Sequence, residues 1–282
     1  MLQPADLPSA PGPIGVFDSG YGGLTVWRWM RDLMPDYDYV YLGDNARAPY
    51  GNRSFELVYE FTLQAVRRLF QMGCHLVILA CNTASAKALR TIQQHDLPQM
   101  DASRRVLGVV RPTAECVGYI TRSRHVGIVA TTGTIRSRTY ELEIAKLFPD
   151  IVVTGEACPL WAPLVENGEA QSDGADYFVR RHIESLLNRD PQIDCIILGC
   201  THYPLLLDKI RRYTPSDIRL LPQGEYVARS LECYLSRHPE MLQQVSRNAT
   251  RHFYTTERPE FFNENAAMFL GEPVSAEHVV LK

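Results

Sequence analysis

Two cysteines occupy matching points of this chain. Cys81 follows Cys74-His75-Leu76-Val77-Ile78-Leu79-Ala80 and leads into Asn82-Thr83, while Cys200 follows Cys195-Ile196-Ile197-Leu198-Gly199 and leads into Thr201-His202. Each apolar run is too short for a helix and reads as a strand buried on both faces. Both thiols are thus expected at the carboxyl ends of parallel-type strands, beside helix starts, where open α/β sheets bind ligands. Backbone N–H groups and the helix dipole at such a position are expected to lower a thiol's pKa. One cysteine so placed is weak evidence, but two in matching surroundings, 119 residues apart, point to a paired site.

Paired thiols suit the removal of a proton from one face of a carbon and the return of another to the opposite face. Two groups of one type let such a reaction run in either direction. A thiol with a reference pKa of about 8.5 can play either part if one is held as thiolate and its partner as thiol. No motif suggests pyridoxal phosphate, flavin or metal, so the thiols are expected to act without a cofactor.

Competing chemistries fit the spacing less well. Gly20-x-Gly22-Gly23 is neither a dinucleotide fingerprint nor a Walker loop, and reads as a turn that lets backbone approach a small ligand. Asp18 beside it either caps that turn or binds a ligand ammonium. Cys200-x-His202 with Cys195 lacks the further ligands zinc needs, and along a strand residues 195 and 200 face opposite ways. Ser19 with His202 has no Gly-x-Ser-x-Gly elbow around it. A cysteine hydrolase built on Cys200 and His202, or on Cys81 and a distant base, leaves the second thiol unexplained. Cys74, Cys116, Cys158, Cys195 and Cys233 read as packing or incidental thiols. Glu166, taken alone, reads as a solvated charge at a helix end.

The elements that must position these residues alternate. Strands are expected over residues 13–17, 38–42, 75–80, 105–110, 125–130, 151–154, 193–199 and 218–221. Helices are expected over 24–33, 55–72 with Ser54 as N-cap and Gly73 as stop, 82–94, 112–121, about 134–147, 173–188, 205–213 and 225–237. A Pro-bounded apolar segment, 159–168, carries Glu166. Short apolar runs at 252–255 and 278–281 close the chain. This is the pattern of βαβ units on parallel sheets. It also repeats: Cys81 lies 63 residues after Asp18, and Cys200 lies 69 residues after Thr131. The expected fold is therefore α/β, with two similar doubly wound domains, parallel-type sheets and an active-site cleft between them. The expected division is 13–104 plus 217–282 for the first domain and 105–216 for the second, with 1–12 a flexible tail.

Composition narrows the class. The chain has 282 residues, 45% hydrophobic and 22% charged, with a net charge of −3. These are ordinary globular values without a basic footprint for nucleic acid or anionic membrane. No apolar run reaches membrane-spanning length, and the first twelve residues lack the pattern of a signal peptide. Seven cysteines, an odd number, suit reduced thiols in a cytoplasm.

Five stretches carry a family resemblance: Phe17-Asp18-Ser19-Gly20-Tyr21-Gly22-Gly23-Leu24, Pro49-Tyr50-Gly51, Ala80-Cys81-Asn82-Thr83-Ala84-Ser85, Pro163-Leu164-Val165-Glu166 and Gly199-Cys200-Thr201-His202-Tyr203-Pro204-Leu205-Leu206. In these the chain resembles the glutamate racemases of the aspartate/glutamate racemase superfamily, with Thr201-His202-Tyr203-Pro204 on the glutamate side. The resemblance implies cofactor-independent interconversion of L- and D-glutamate, with D-glutamate feeding peptidoglycan synthesis and hence cell-wall biogenesis and cell shape. By the family pattern Cys81 abstracts the α-proton of D-glutamate and Cys200 that of L-glutamate. Asp18 belongs with the first thiol, Glu166 and His202 with the second. Asp18, Ser19, Tyr50, Gly51, Asn82, Thr83, Thr201 and His202 match substrate-binding positions. Thr131 and Thr134 are carried over less directly, since Ala130-Thr131 departs from the family's Gly-Thr. A small-molecule substrate is expected, with no nucleic-acid or membrane partner, and a homodimer is the default assembly. A two-lobed binding protein without catalysis is the alternative from another class.

Overall fold

The computed structural model describes residues 10–282. Among the described residues, ten strands and eleven principal helices follow one another, and every pairing between these strands is parallel. In chain order they are β1 (Ile14–Asp18), α1 (Leu24–Leu33), β2 (Tyr39–Gly43), α2 (Phe55–Gln71), β3 (Leu76–Leu79), α3 (Asn82–Lys87) and β4 (Arg105–Gly108). There follow α4 (Val110–Ile120), β5 (His125–Ala130), α5 (Thr132–Ser137), α6 (Thr139–Leu147), β6 (Val152–Ala157), α7 (Trp161–Glu166) and α8 (Asp173–Arg189). The chain ends with β7 (Cys195–Gly199), α9 (Leu207–Tyr213), β8 (Arg219–Pro222), α10 (Gly224–Arg237), β9 (Arg251–Thr255), α11 (Pro259–Leu270) and β10 (Ala276–His278).

The strands form two sheets, ordered β10-β9-β2-β1-β3-β4 and β6-β5-β7-β8. The inner part of the first, β2-β1-β3-β4, has the order of the whole second sheet, which is the repeat expected from the sequence. Burial on both faces explains the unbroken apolar runs: every residue of β1, β2, β3 and β7 is buried. One apolar cluster extends from Ile14, Trp27 and Tyr39 in the first half to Trp161, Ile196 and Tyr203 in the second. The two halves therefore share core as well as cleft. Among the described residues, no helix is long and apolar enough to cross a membrane.

Several boundaries differ from expectation. β4 pairs with β3 in the first sheet, so the expected division at residue 105 falls one strand early. β8 pairs with β7, so the division at 216 also cuts a strand from its own sheet. Sequence cannot show this, because β4 and β8 are short runs just before the crossings between halves. β9 and β10 do return to the first sheet, beside β2. Of the expected tail, residues 1–9 lie outside the described residues. Gly12 is buried, donates its N–H to Gln244 at 2.9 Å and accepts from Ser246 N–H at 2.9 Å, so it is tied down.

Two expected helices are interrupted. After Lys87 the chain runs through short helical pieces, including a π-helical turn at Ile92–Asp96. Pro98, just beyond, has no N–H to return to the preceding turn. The segment after Thr131 divides at Arg138, which is left-handed at φ 54°. There the Ser137 hydroxyl donates to Thr134 C=O at 2.6 Å and accepts from Thr139 N–H at 3.3 Å. That side chain competes with the helix ladder for its partners.

Candidate active site

Equivalent strands deliver the two thiols. β3 ends at Leu79, and Cys81 becomes the N-cap of α3, its sulfur accepting from Ala84 N–H at 3.4 Å. β7 ends at Gly199, and Cys200 follows directly. Both cysteines line one cleft between the sheets, which opens to solvent. Each is only 6% exposed.

Around Cys81 the groups are a hydroxyl and a carboxylate. Ser19 Oγ lies 3.4 Å from the thiol sulfur. Asp18, fully buried at the end of neighbouring β1, accepts from Gly20 N–H through Oδ2 at 2.9 Å. Its Oδ1 has no hydrogen-bond partner among the described residues. Burial raises the Asp18 pKa, opposed by the positive charge of His202 and by N–H donors from Gly20 and Gly23. Burial, and next the charge of Asp18, push the Cys81 thiol up to about 12 against the hydrogen bonds from Ser19 and Ala84. The lowered thiol pKa expected from the helix terminus is thus corrected. Removal from water outweighs a dipole that acts through one short helix.

Around Cys200 the groups form a chain. His202 Nδ1 lies 3.7 Å from Cys200 Sγ, and His202 Nε2 lies 2.8 Å from Glu166 Oε1. Burial disfavours the imidazolium, yet hydrogen bonds to Cys200 and Glu166 and their charges hold the His202 pKa well above its ordinary value. Glu166 ends α7, and the carboxylate that alone reads as a solvated charge at a helix end lines the cleft instead. Phe269 of α11 packs edge-on against the His202 ring, with centroids 5.5 Å apart, and stacks on Tyr21. No sequence signal marked Phe269, because its contact bridges residues far apart in the chain.

The glycine loop joins the two sets. A Cβ on Gly22 would overlap Thr201 Oγ1 and the His202 ring, and one on Gly23 would stand 2.5 Å from Asp18 Cβ. Only bare backbone fits between the half-sites. Thr25 Oγ1 reinforces the crossing by donating to Thr201 C=O at 2.9 Å.

Of the remaining expected residues, Ser19, Tyr50, Gly51, Asn82, Thr83, Thr131 and Thr201 line the cleft. Asp18 and Thr134 stand behind its wall. Tyr50 presents its ring and backbone, since its hydroxyl is committed to buried Asp44. Thr83, Thr131 and Thr134 form a hydroxyl cluster across the mouth, with Thr83 Oγ1 3.0 Å from Thr131 Oγ1 and Thr131 Oγ1 donating to Thr134 Oγ1 at 3.1 Å. Gly133 N–H donates to Gly51 C=O at 2.7 Å, closing that edge by backbone alone. Asn52, Thr132, Pro159 and Ala162 also line the cleft and carried no sequence signal beyond their neighbourhood.

A cleft with two thiols, one beside a buried carboxylate and the other beside an imidazole–carboxylate pair, defines a site for proton transfer at carbon. Residues 25–228 match the family model for Asp/Glu/Hydantoin racemase, and the chain belongs to that family. Within it the chain falls among the glutamate racemases. That of Dinoroseobacter shibae is 41% identical over 267 residues, covering 91% of this chain and 95% of its own. The crystal structure of a glutamate racemase isoform from Bacillus anthracis is 34% identical, with a TM-score of 0.87 over 96% of this chain and 98% of that one. The glutamate racemase from Francisella tularensis, solved in complex with D-glutamate, is 31% identical with a TM-score of 0.84, covering 96% and 98%.

Proposed function

We propose that the protein racemises glutamate by a cofactor-independent two-base mechanism, with Cys81 and Cys200 on opposite faces of the α-carbon. The observation that carries this reading is that the two thiols follow equivalent strands of repeated sheets and line one cleft. In the L-to-D direction, the Cys200 thiolate takes the α-proton and Cys81 gives its own proton to the other face. The developing negative charge is left on the α-carbon and its carboxylate between the two transfers. A Cys81 thiol held up to about 12 keeps its proton at neutral pH, which suits the donor. His202, paired with Glu166, faces the sulfur that must carry charge before abstraction. Asp18, behind the wall on the Cys81 side, acts through its charge on that thiol. N–H groups and hydroxyls at the starts of α3 and α5 suit the carboxylates. The D-glutamate so made would serve peptidoglycan synthesis, and the reading places the enzyme in the cytoplasm.

Circular dichroism of L-glutamate incubated with the protein, dialysed against chelator and treated with carbonyl reagent, tests it. Full decay of optical activity is expected. An unchanged signal with bound ligand would identify a binding protein, and released ammonia or acid a hydrolase. Activity that returned only with added metal or pyridoxal phosphate would overturn the thiol-only chemistry.

A further inference from the structure

Asn82 follows Cys81 directly, and its side chain joins a closed ring of hydrogen bonds. Asn82 Nδ2 donates to Gln223 Oε1 at 2.6 Å, and Tyr140 OH donates to Asn82 Oδ1 at 2.6 Å. Gln223 Nε2 completes the ring by donating to Tyr140 OH. It also donates to Thr113 Oγ1 at 2.9 Å and Val109 C=O at 3.3 Å. Asn82, Gln223, Tyr140 and Thr113 are each no more than 3% exposed.

The places of these residues matter as much as the bonds. Asn82 opens α3, on the first sheet's side of the cleft. Tyr140 lies in α6, which follows β5 of the second sheet. Val109 and Thr113 lie where the chain leaves β4 for the second sheet, and Gln223 lies where it leaves β8 to return. The ring therefore pins the residue beside one thiol to both crossings between the halves. Each member donates to one neighbour and accepts from the other, so removing any one leaves buried polar groups without partners.

We propose that Gln223 and Tyr140 are positioning residues for the Cys81 half-site, holding Asn82 so that the start of α3, and with it the thiol, keeps its register against the substrate. The proposal rests on the racemase reading above. The ring occupies one donor and one acceptor of the Asn82 amide and so fixes the side chain's orientation at the start of α3. Among the described residues its hydrogen bonds reach the Cys81 side through Asn82, and none runs to His202, Glu166 or Thr201.

The test compares Tyr140→Phe, Gln223→Met and the double variant, each checked for parent-like circular dichroism in the far ultraviolet. A loss of about 10- to 100-fold in kcat is expected from a displaced reacting group. The double variant should be no worse than the poorer single one, since one break opens the ring. The deciding readout is the primary isotope effect on kcat/KM. It should rise for α-deuterated D-glutamate, whose proton Cys81 removes, and fall toward unity for α-deuterated L-glutamate. If neither of these variants folds, Gln223→Glu keeps the volume, and its neutral form can keep the ring. Its activity should be highest at low pH and fall as the buried carboxyl ionises. Isotope effects that stay as in the parent, or additive losses in the double variant, overturn the proposal. A parent that fails to racemise glutamate overturns instead the reading on which it rests.

Discussion

Cys81 and Cys200 hold the same place in two sheets that share a four-strand order, and their surroundings differ in charge. Cys81 stands against a carboxylate whose charge, with burial, favours the protonated thiol, and against a hydroxyl whose hydrogen bond opposes it. Cys200 stands against an imidazole that Glu166 holds from the far side. Topology thus repeats while electrostatics does not. The backbone repeat brings two sulfurs to one cleft, and each sulfur meets different neighbours there.

The largest break in this comparison is loss of either sulfur. Cys81→Ser and Cys200→Ser should each lower racemisation by about 10³-fold or more, because a hydroxyl is a far weaker acid and supplies little basic anion. With the parent in heavy water, the first D-glutamate formed from L-glutamate should carry deuterium at the α-carbon while the remaining L-glutamate carries almost none. D-product largely free of deuterium, or a serine variant near the parent rate, would end the two-thiol mechanism.

Next come the unlike neighbours. Asp18→Asn, His202→Gln and Glu166→Gln should each slow turnover by about 10- to 100-fold. Asp18→Asn should raise the isotope effect on kcat/KM with deuterated D-glutamate, and the other two that with deuterated L-glutamate. Equal effects on both enantiomers would make these residues general binders instead.

A chemical probe sharpens the same contrast without turnover. Alkylation of free enzyme by iodoacetamide reports thiolate. At Cys81 the rate should climb with pH throughout the neutral range, since a thiol near 12 is still almost wholly protonated there. Asp18→Asn removes a like charge, lowers that pKa, and should speed labelling of Cys81 at fixed pH. Peptide mapping of the labelled Cys81→Ser and Cys200→Ser proteins separates the two sites.

The smallest effect should come from the hydroxyl cluster at the mouth. Thr134 does not line the cleft, and its hydroxyl meets only those of Thr83 and Thr131. Thr134→Val should cost about 1 kcal/mol of stability and leave kcat/KM within about threefold of the parent. A loss as large as that of Asp18→Asn would move Thr134 into direct contact with substrate.

Much of this site is legible along the chain because its two centres are local. A strand that ends at a small residue followed by Cys places the thiol at the strand's carboxyl end whatever the rest of the fold does. Hence Cys81, Cys200 and the Asp18-Ser19-Gly20 turn could be placed from apolar runs and breakers alone. Ser54 as N-cap, with its oxygen accepting from Leu57 N–H at 3.3 Å, was legible for the same reason.

What depends on distant partners was decided only in three dimensions. Membership of β4 and β8 in their sheets follows from which neighbour each four-residue run pairs with, and a run of that length does not encode its neighbour. The pKa of Cys81 depends on burial and on Asp18, and the helix start visible in sequence suggested the opposite sign. The commitment of Asn82 to Gln223 and Tyr140, 141 and 58 residues away, leaves no periodicity to read. Local sequence settled where each sulfur would stand, because backbone geometry repeats over a few residues. Tertiary structure decided what each sulfur faces, because desolvation and charge depend on every group brought near, from any part of the chain.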